Sequence, residues 1–201
     1  MNPESIEHLF PTPVFKYRVT ENINDDLVQK VHASQMRKTT VKQTVGDLHK
    51  QPGFEQFCSI ALDNARNALG HWGAEYQDIQ ITNCWANIYS SQDSLQPHSH
   101  PNCFLSGVYY VKVPQNSPPI FFYDPRIMTN NIIAPAKRTK TLYNLGSWGI
   151  PMAEGMMLLW PGWLHHRAPE NTTGEERISI AFNIMFKGLV GSYENLDALE
   201  L

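Results

Sequence analysis

From residue 76 onward the chain is a succession of short apolar or alternating stretches, cut apart by Pro, Gly, Asn and Asp. Stretches near 79–89, 104–113, 118–123, 132–134, 139–143, 156–160 and 177–186 read as strands. Pro114, Pro119, Pro125 and Pro135 interrupt them and mark loops. So many short strands in one region can bury their apolar sides only by stacking. A β-sandwich or jelly roll is therefore expected.

The part before this region has another character. Phe15, Tyr17 and Val19 alternate after two prolines and suggest a strand within 9–19. Asn24 or Asp25 can cap a helix that carries Leu27, Val28 and Val31 to about Arg37. Residues 38–50 are polar and read as loop. A second helix is expected from Gly53 or Phe54, with Phe57, Ala61, Ala65 and Ala68 near helical spacing, ending at Gly70. The expected organisation is one domain over 1–201: a helical support region at 1–75, a β core at 76–190 and a loose acidic tail at 191–201.

Composition narrows the function. A net charge of −3 with no basic run gives no reason to expect a nucleic-acid partner. Cys58, Cys84 and Cys103 are odd in number and form no CxxC, so free thiols in a reducing, cytoplasmic setting are expected. The N-terminus lacks the basic and apolar regions of a signal peptide. No apolar run approaches the ~18 residues of a membrane span.

The chemistry concentrates in histidines. His98 and His100 are two residues apart, just ahead of the 104–113 stretch. Two imidazoles at that spacing can be aimed at one ion. A third ring from a distant strand would complete one face of a metal site, the layout of the non-haem iron triad with open positions. His165 and His166 are both candidates for that ring, and on a strand only one of the two would face the metal. Arg177 opens an apolar strand, where a guanidinium turned inward needs an anion. Ser179 shares its face.

These residues lie in three pieces: Trp85-Ala86-Asn87-Ile88-Tyr89 with Pro97-His98-Ser99-His100; Leu105-Ser106-Gly107-Val108-Tyr109-Tyr110-Val111 running on to Tyr123-Asp124-Pro125-Arg126; and Leu159-Trp160-Pro161-Gly162-Trp163-Leu164-His165-His166 with Arg177-Ile178-Ser179-Ile180-Ala181-Phe182-Asn183. In this order they resemble the Fe(II)- and 2-oxoglutarate-dependent dioxygenases. More narrowly, they look like small oxygenases of bacteria and phages related to prolyl hydroxylases. The resemblance covers roughly 80–187.

What it implies is a mainly β, cupin-like double-stranded β-helix with N-terminal helices. Its mouth would hold Fe(II) on His98, His100 and His166 for a reaction with 2-oxoglutarate and O2. Arg177 and Ser179 would grip the distal carboxylate of 2-oxoglutarate, and Tyr89, Tyr109 and Asn183 are further co-substrate candidates. For both tyrosines the other reading is core packing. Asn87 and Asn102 are pocket candidates. The substrate would be a peptidyl (prolyl-type) residue or a small molecule. His100 stands where the family usually has a carboxylate. That departure admits two rivals: a three-His dioxygenase that does not use 2-oxoglutarate, and a silent jelly-roll binding module. Arg177 and Ser179 speak for the first reading, because neither rival gives them a task.

Overall fold

The computed structural model describes residues 4–126, 141, 143 and 145–201. The described residues form two main antiparallel sheets, a small two-stranded one near the C-terminus, and two helices outside. In chain order the elements are β1 (Phe15–Arg18), α1 (Asn24–Ala33), β2 (Met36–Lys38), β3 (Lys42–Thr44), a short 3-10 turn (Leu48–Lys50), α2 (Glu55–Trp72), β4 (Asp78–Tyr89), β5 (Leu95–His98), β6 (Leu105–Lys112), β7 (Ile120–Tyr123), β8 (Ser147–Ile150), β9 (Met156–Pro161), β10 (His166–Ala168), β11 (Arg177–Lys187), β12 (Leu189–Val190) and β13 (Leu199–Glu200). The large sheet runs β1-β9-β6-β11-β4-β3-β2, and the small one β5-β10-β7-β8. This is the expected jelly roll. No helix among the described residues is long and apolar enough to cross a membrane.

The large sheet is covered on both faces. From β6, Leu105, Tyr109 and Val111 join Phe57, Ala61 and Ala65 of α2 and Leu27 of α1 in one apolar cluster. The alternate residues Val108 and Tyr110 join Ile120 and Phe122 of the small sheet in a second. A strand buried on both sides needs no polar face, so β6 is apolar almost throughout. On β4 and β11 the two sides differ. Cys84, Ala86, Ile88, Ile178, Ile180 and Phe182 pack toward the helices. Trp85, Asn87, Tyr89, Arg177, Ser179, Ala181 and Asn183 line a cleft on the other side.

Several sequence expectations need correction. The first helix ends at Ala33, not Arg37; the Ser34 hydroxyl turns back to the Lys30 carbonyl at 2.8 Å. Residues 36–44 then form a hairpin that extends the large sheet, where the end of the helix and, from residue 38, a loop were expected. Three-residue polar strands carry no periodicity to read. The second helix passes through Gly70 and stops at Gly73, whose φ of 73° is the left-handed conformation glycine accepts. The tail from Tyr193 folds back, and Leu199–Glu200 pair with Leu189–Val190. The strand expected at 132–134 lies outside the described residues, as does most of 139–143. β5, β8 and β10 of the small sheet were not legible, being three or four residues long.

Gly107 marks the tightest backbone approach in the core. A Cβ there would lie 2.4 Å from Phe182 and 2.8 Å from Leu159. Gly107→Ala should therefore destabilise the fold by about 1–3 kcal/mol through overpacking. At about 2–4 °C per kcal/mol for a domain of this size, thermal denaturation would show a Tm lowered by several degrees. An unchanged Tm would mean that the sheet can open at this point at no cost.

Candidate metal and co-substrate site

The small sheet brings two of the histidines together. His98 ends β5 and His166 begins β10, and the two are direct cross-strand partners. Their ring centroids are 4.5 Å apart. Directly opposed residues share a sheet face, so pairing aims both rings at the same space. His98 is thus on a strand of its own. His100 follows in the turn, where its backbone N–H donates to the Gly162 carbonyl at 2.9 Å. A Cβ on Gly162 would come within 2.6 Å of the Cys103 carbonyl, so glycine is needed for this loop to close on its neighbour. The His100 ring lies 5.3 Å from His98 and 5.1 Å from His166.

One ligand atom from each of the three rings can be chosen so that all lie within 4.8 Å of one another. Their other nitrogens decide what those atoms can do. Nδ1 of His98 meets the Gln96 carbonyl at 2.7 Å, Nδ1 of His100 meets Oδ1 of Asn183 at 2.6 Å, and Nδ1 of His166 meets the Leu164 carbonyl at 3.0 Å. Every one of these partners is an acceptor, so each Nδ1 carries the proton. That leaves Nε2 with its lone pair, the form in which imidazole binds a metal.

Charge agrees with this. Burial pushes the His166 pKa down to about 3, further helped by the neighbouring histidines and opposed by its bond to Leu164. His100 is also lowered, mainly by burial, with the Asn183 hydrogen bond opposing. Three nitrogen donors on one side of an open cleft fit a divalent transition metal that keeps free positions.

His165 is exposed, whereas His166 is 5% exposed and edge-on to the Trp160 ring at 4.7 Å. Adjacent residues point to opposite sides, and it is His166 that faces the cleft.

Arg177 enters the same cleft, opposite Tyr89 in the β4–β11 ladder. It is 1% exposed, and its guanidinium carbon sits 4.2 Å over the Tyr89 ring. Nη2 donates to the Pro169 carbonyl at 3.2 Å, while Nη1 is buried without a partner. Among the described residues no carboxylate pairs with it. Burial lowers its pKa, and Tyr89 and Tyr110 oppose the shift. Tyr89 is pushed up to about 12 by burial, against the pull of Arg177 and Ser179, so it stays a neutral phenol and can donate. A buried guanidinium with a spare N–H is costly unless an anion completes it. This orphaned donor fits the distal carboxylate of a dicarboxylic acid. Ser179, 3% exposed, lies two residues on along the same face.

One expected co-substrate contact is placed elsewhere. Tyr109 faces the helices: its ring packs on Phe57 at 5.8 Å and its hydroxyl donates to Asn24. Tyr110, its neighbour, lines the cleft instead. In a strand buried on both sides the sequence could not say which tyrosine faced which way. Asn183 does line the cleft, but its Oδ1 is engaged by His100 and by the Ser106 hydroxyl at 3.4 Å. Through that oxygen it steadies a histidine. Asn171 was missed altogether. Fully buried, it donates to the Tyr89 and Glu175 carbonyls at 3.0 and 2.7 Å and so braces the turn that delivers Arg177. Its only sequence signal is the turn-like Asn171-Thr172-Thr173-Gly174. Asn87 and Asn102 line the cleft as expected.

A family described as "Putative 2OG-Fe(II) oxygenase" matches residues 83–183. The chain belongs to this 2OG-Fe(II) oxygenase family, whose reaction takes iron(II), 2-oxoglutarate and dioxygen. No curated protein sequence matches it. Solved structures share the fold at low identity. The 2-oxoglutarate-dependent epimerase SnoN of nogalamycin biosynthesis has a TM-score of 0.66 at 10% identity, over 90% of this chain and 82% of its own. A Pseudomonas putida prolyl-4-hydroxylase has a TM-score of 0.60 at 13% identity, over 88% and 94%. HygX from Streptomyces hygroscopicus, solved with nickel and 2-oxoglutarate bound, has a TM-score of 0.62 at 11% identity, over 87% and 83%.

Two outcomes follow from this geometry. His98→Ala, His100→Ala and His166→Ala should each lose stoichiometric manganese or iron by metal analysis, and His165→Ala should keep it. Metal retained in His166→Ala and lost in His165→Ala would reverse the assignment.

The second outcome is a pH dependence. With a folded pKa of about 3 against 6.5 when unfolded, His166 takes up a proton only on unfolding as pH falls below about 6.5. The metal-free protein should lose roughly 2 kcal/mol between pH 7 and pH 5 from this group, with no change above pH 7. Urea denaturation should show a shallower dependence in His166→Phe. Equal slopes would remove His166 as the cause.

Proposed function

We propose that the chain hydroxylates an organic substrate, with Fe(II) held by His98, His100 and His166 and 2-oxoglutarate seated on Arg177. The observation that carries this reading is the buried guanidinium of Arg177, with an unpartnered Nη1 in the same cleft as three metal-competent imidazoles. A catalyst that did not use a dicarboxylate would leave that charge buried for no purpose. Held on these residues, Fe(II) and 2-oxoglutarate would supply the dioxygen chemistry needed to attack a C–H bond.

The remaining roles belong to the chain itself. Asn183 and the carbonyls of Gln96 and Leu164 hold the Nδ1 protons, so the ring orientations are set before any metal arrives. Ser179 and the neutral phenols of Tyr89 and Tyr110 offer hydroxyl donors beside Arg177. Trp160 shields His166 from water. The cleft, about 680 Å³, is larger than a five-carbon diacid requires and leaves room for a second molecule. The fold shared with a prolyl-4-hydroxylase supports a peptidyl substrate. The one shared with an enzyme of nogalamycin biosynthesis supports a small molecule.

With His100 as a ligand, all three ligands are neutral imidazoles. The ion's charge is then offset by the co-substrate and not by the protein. Metal preference should shift accordingly.

Arg177→Leu should raise the dissociation constant for 2-oxoglutarate by about ten- to a hundredfold, the worth of a charge-assisted contact of roughly 1.5–3 kcal/mol. Manganese content should hardly change. Tryptophan quenching on the manganese-loaded protein measures the first, and metal analysis the second. Wild-type protein that binds no 2-oxoglutarate at millimolar concentration would leave a three-His dioxygenase without 2-oxoglutarate, or a binding module, as the function.

A further inference from the structure

The large sheet carries a second polar feature that starts at Ser179 and, beyond it, is not used by ligation of iron and 2-oxoglutarate. Ser179 on β11 is the register partner of Asn87 on β4. Asn87 is the partner of Gln43 on β3, and Gln43 is the partner of Arg37 on β2. These four residues form a single row across four neighbouring strands, and all four line the cleft. At about 4.8 Å per strand, the row runs roughly 14 Å from the co-substrate seat to the sheet edge.

Hydrogen bonds join the outer three members of the row. Gln43 Nε2 donates to Oδ1 of the buried Asn87 at 2.7 Å, and Arg37 Nη2 donates to Gln43 Oε1 at 2.7 Å. The guanidinium at the outer end is therefore held in place by a neutral partner, with its other N–H groups left for a ligand.

The charge around it is one-sided. The chain has 19 acidic residues against 16 Lys and Arg, yet no Asp or Glu is among the residues that line the cleft. Arg37 has no ion-pair partner among the described residues. The residues outside the description, 1–3, 127–140, 142 and 144, contain neither Asp nor Glu. A cleft with a guanidinium at each end and no acid on its walls attracts and orients an anion.

We infer that the substrate bears an anionic group, a carboxylate or a phosphate ester, which Arg37 binds at the outer end of this row while the rest of the molecule reaches inward past Trp85. This inference names the substrate class for the function proposed above and rests on that reading for turnover, but not for binding. A neutral peptide segment would make no use of a pre-oriented cation here.

The test is a binding titration read by tryptophan fluorescence. Benzoate, phenyl phosphate and the neutral twin benzamide are titrated into manganese-loaded protein saturated with 2-oxoglutarate. The two anions should bind at least tenfold more tightly than benzamide, one charge-assisted contact being worth about that factor. Whichever anion binds more tightly distinguishes a carboxylate from a phosphate substrate. Arg37→Gln should remove that advantage. Gln43→Glu, which supplies Arg37 with an internal carboxylate, should remove it as well, with the Asn87 amide turned over so that its Nδ2 donates to the new carboxylate.

Anions that bind no better than benzamide, or that bind equally well to Arg37→Gln, would overturn the inference. So would a loss of 2-oxoglutarate affinity in Arg37→Gln, which would move Arg37 to the co-substrate seat. The same titration on Arg177→Leu, whose inner seat has no guanidinium, separates the two readings. Anion binding that persists there and depends on Arg37 supports the outer site even if 2-oxoglutarate proves not to bind.

Discussion

The pairing of β4 with β11 is the interaction on which the rest of this structure depends. The ladder runs from Tyr89 opposite Arg177 to Asp78 opposite Lys187, with one irregularity after Asn183. One of its faces is apolar and packs on α1 and α2; the other carries Arg177, Ser179, Asn87 and Asn183. A one-residue slip of either strand would exchange the two faces. It would put a guanidinium in the helix-facing core and isoleucines in the cleft. The same register thus stabilises the fold and places the chemistry. Each fully buried isoleucine or phenylalanine contributes about 1.5–3 kcal/mol to holding it.

The small sheet makes the complementary contribution. It is held by few residues, and its strands are short. What it supplies is a cross-strand pair, His98 with His166, and a turn that returns His100 to the large sheet through Asn183. The histidine end of the cleft is therefore a joint between the two sheets. The side chains at the Arg177 end, Tyr89, Tyr110, Arg177 and Ser179, come from the large sheet. Neutral acceptors behind all three imidazoles keep this joint free of anionic charge. Arg177 sits nearby with a donor unpaired, so the cleft as a whole carries positive potential that incoming anions must balance.

Much of this was legible in the sequence, and the misses have physical causes. The long strands β4, β6, β9 and β11 stood out because each buries a continuous or alternating apolar run. The histidine and arginine positions stood out because polar residues inside such runs need partners. Tyr109 and Tyr110 could not be told apart, since a strand covered on both faces has no polar side to set its phase. The hairpin of β2 and β3 was read as loop because polar strands at a sheet edge carry no apolar signature. Arg37 passed unnoticed because it was read as the end of the first helix.

By itself the sequence determined the class of fold and singled out the histidines and the arginine as candidates, because burial patterns and metal-binding chemistry are properties of residues and their spacing. Only the tertiary structure decided which of two adjacent histidines turns inward, which tyrosine borders Arg177, and what holds each Nδ1 proton. It alone aligned Ser179, Asn87, Gln43 and Arg37, which are scattered over the chain, into one row. Those outcomes depend on register between distant strands, and register is set by the packing of whole sheets.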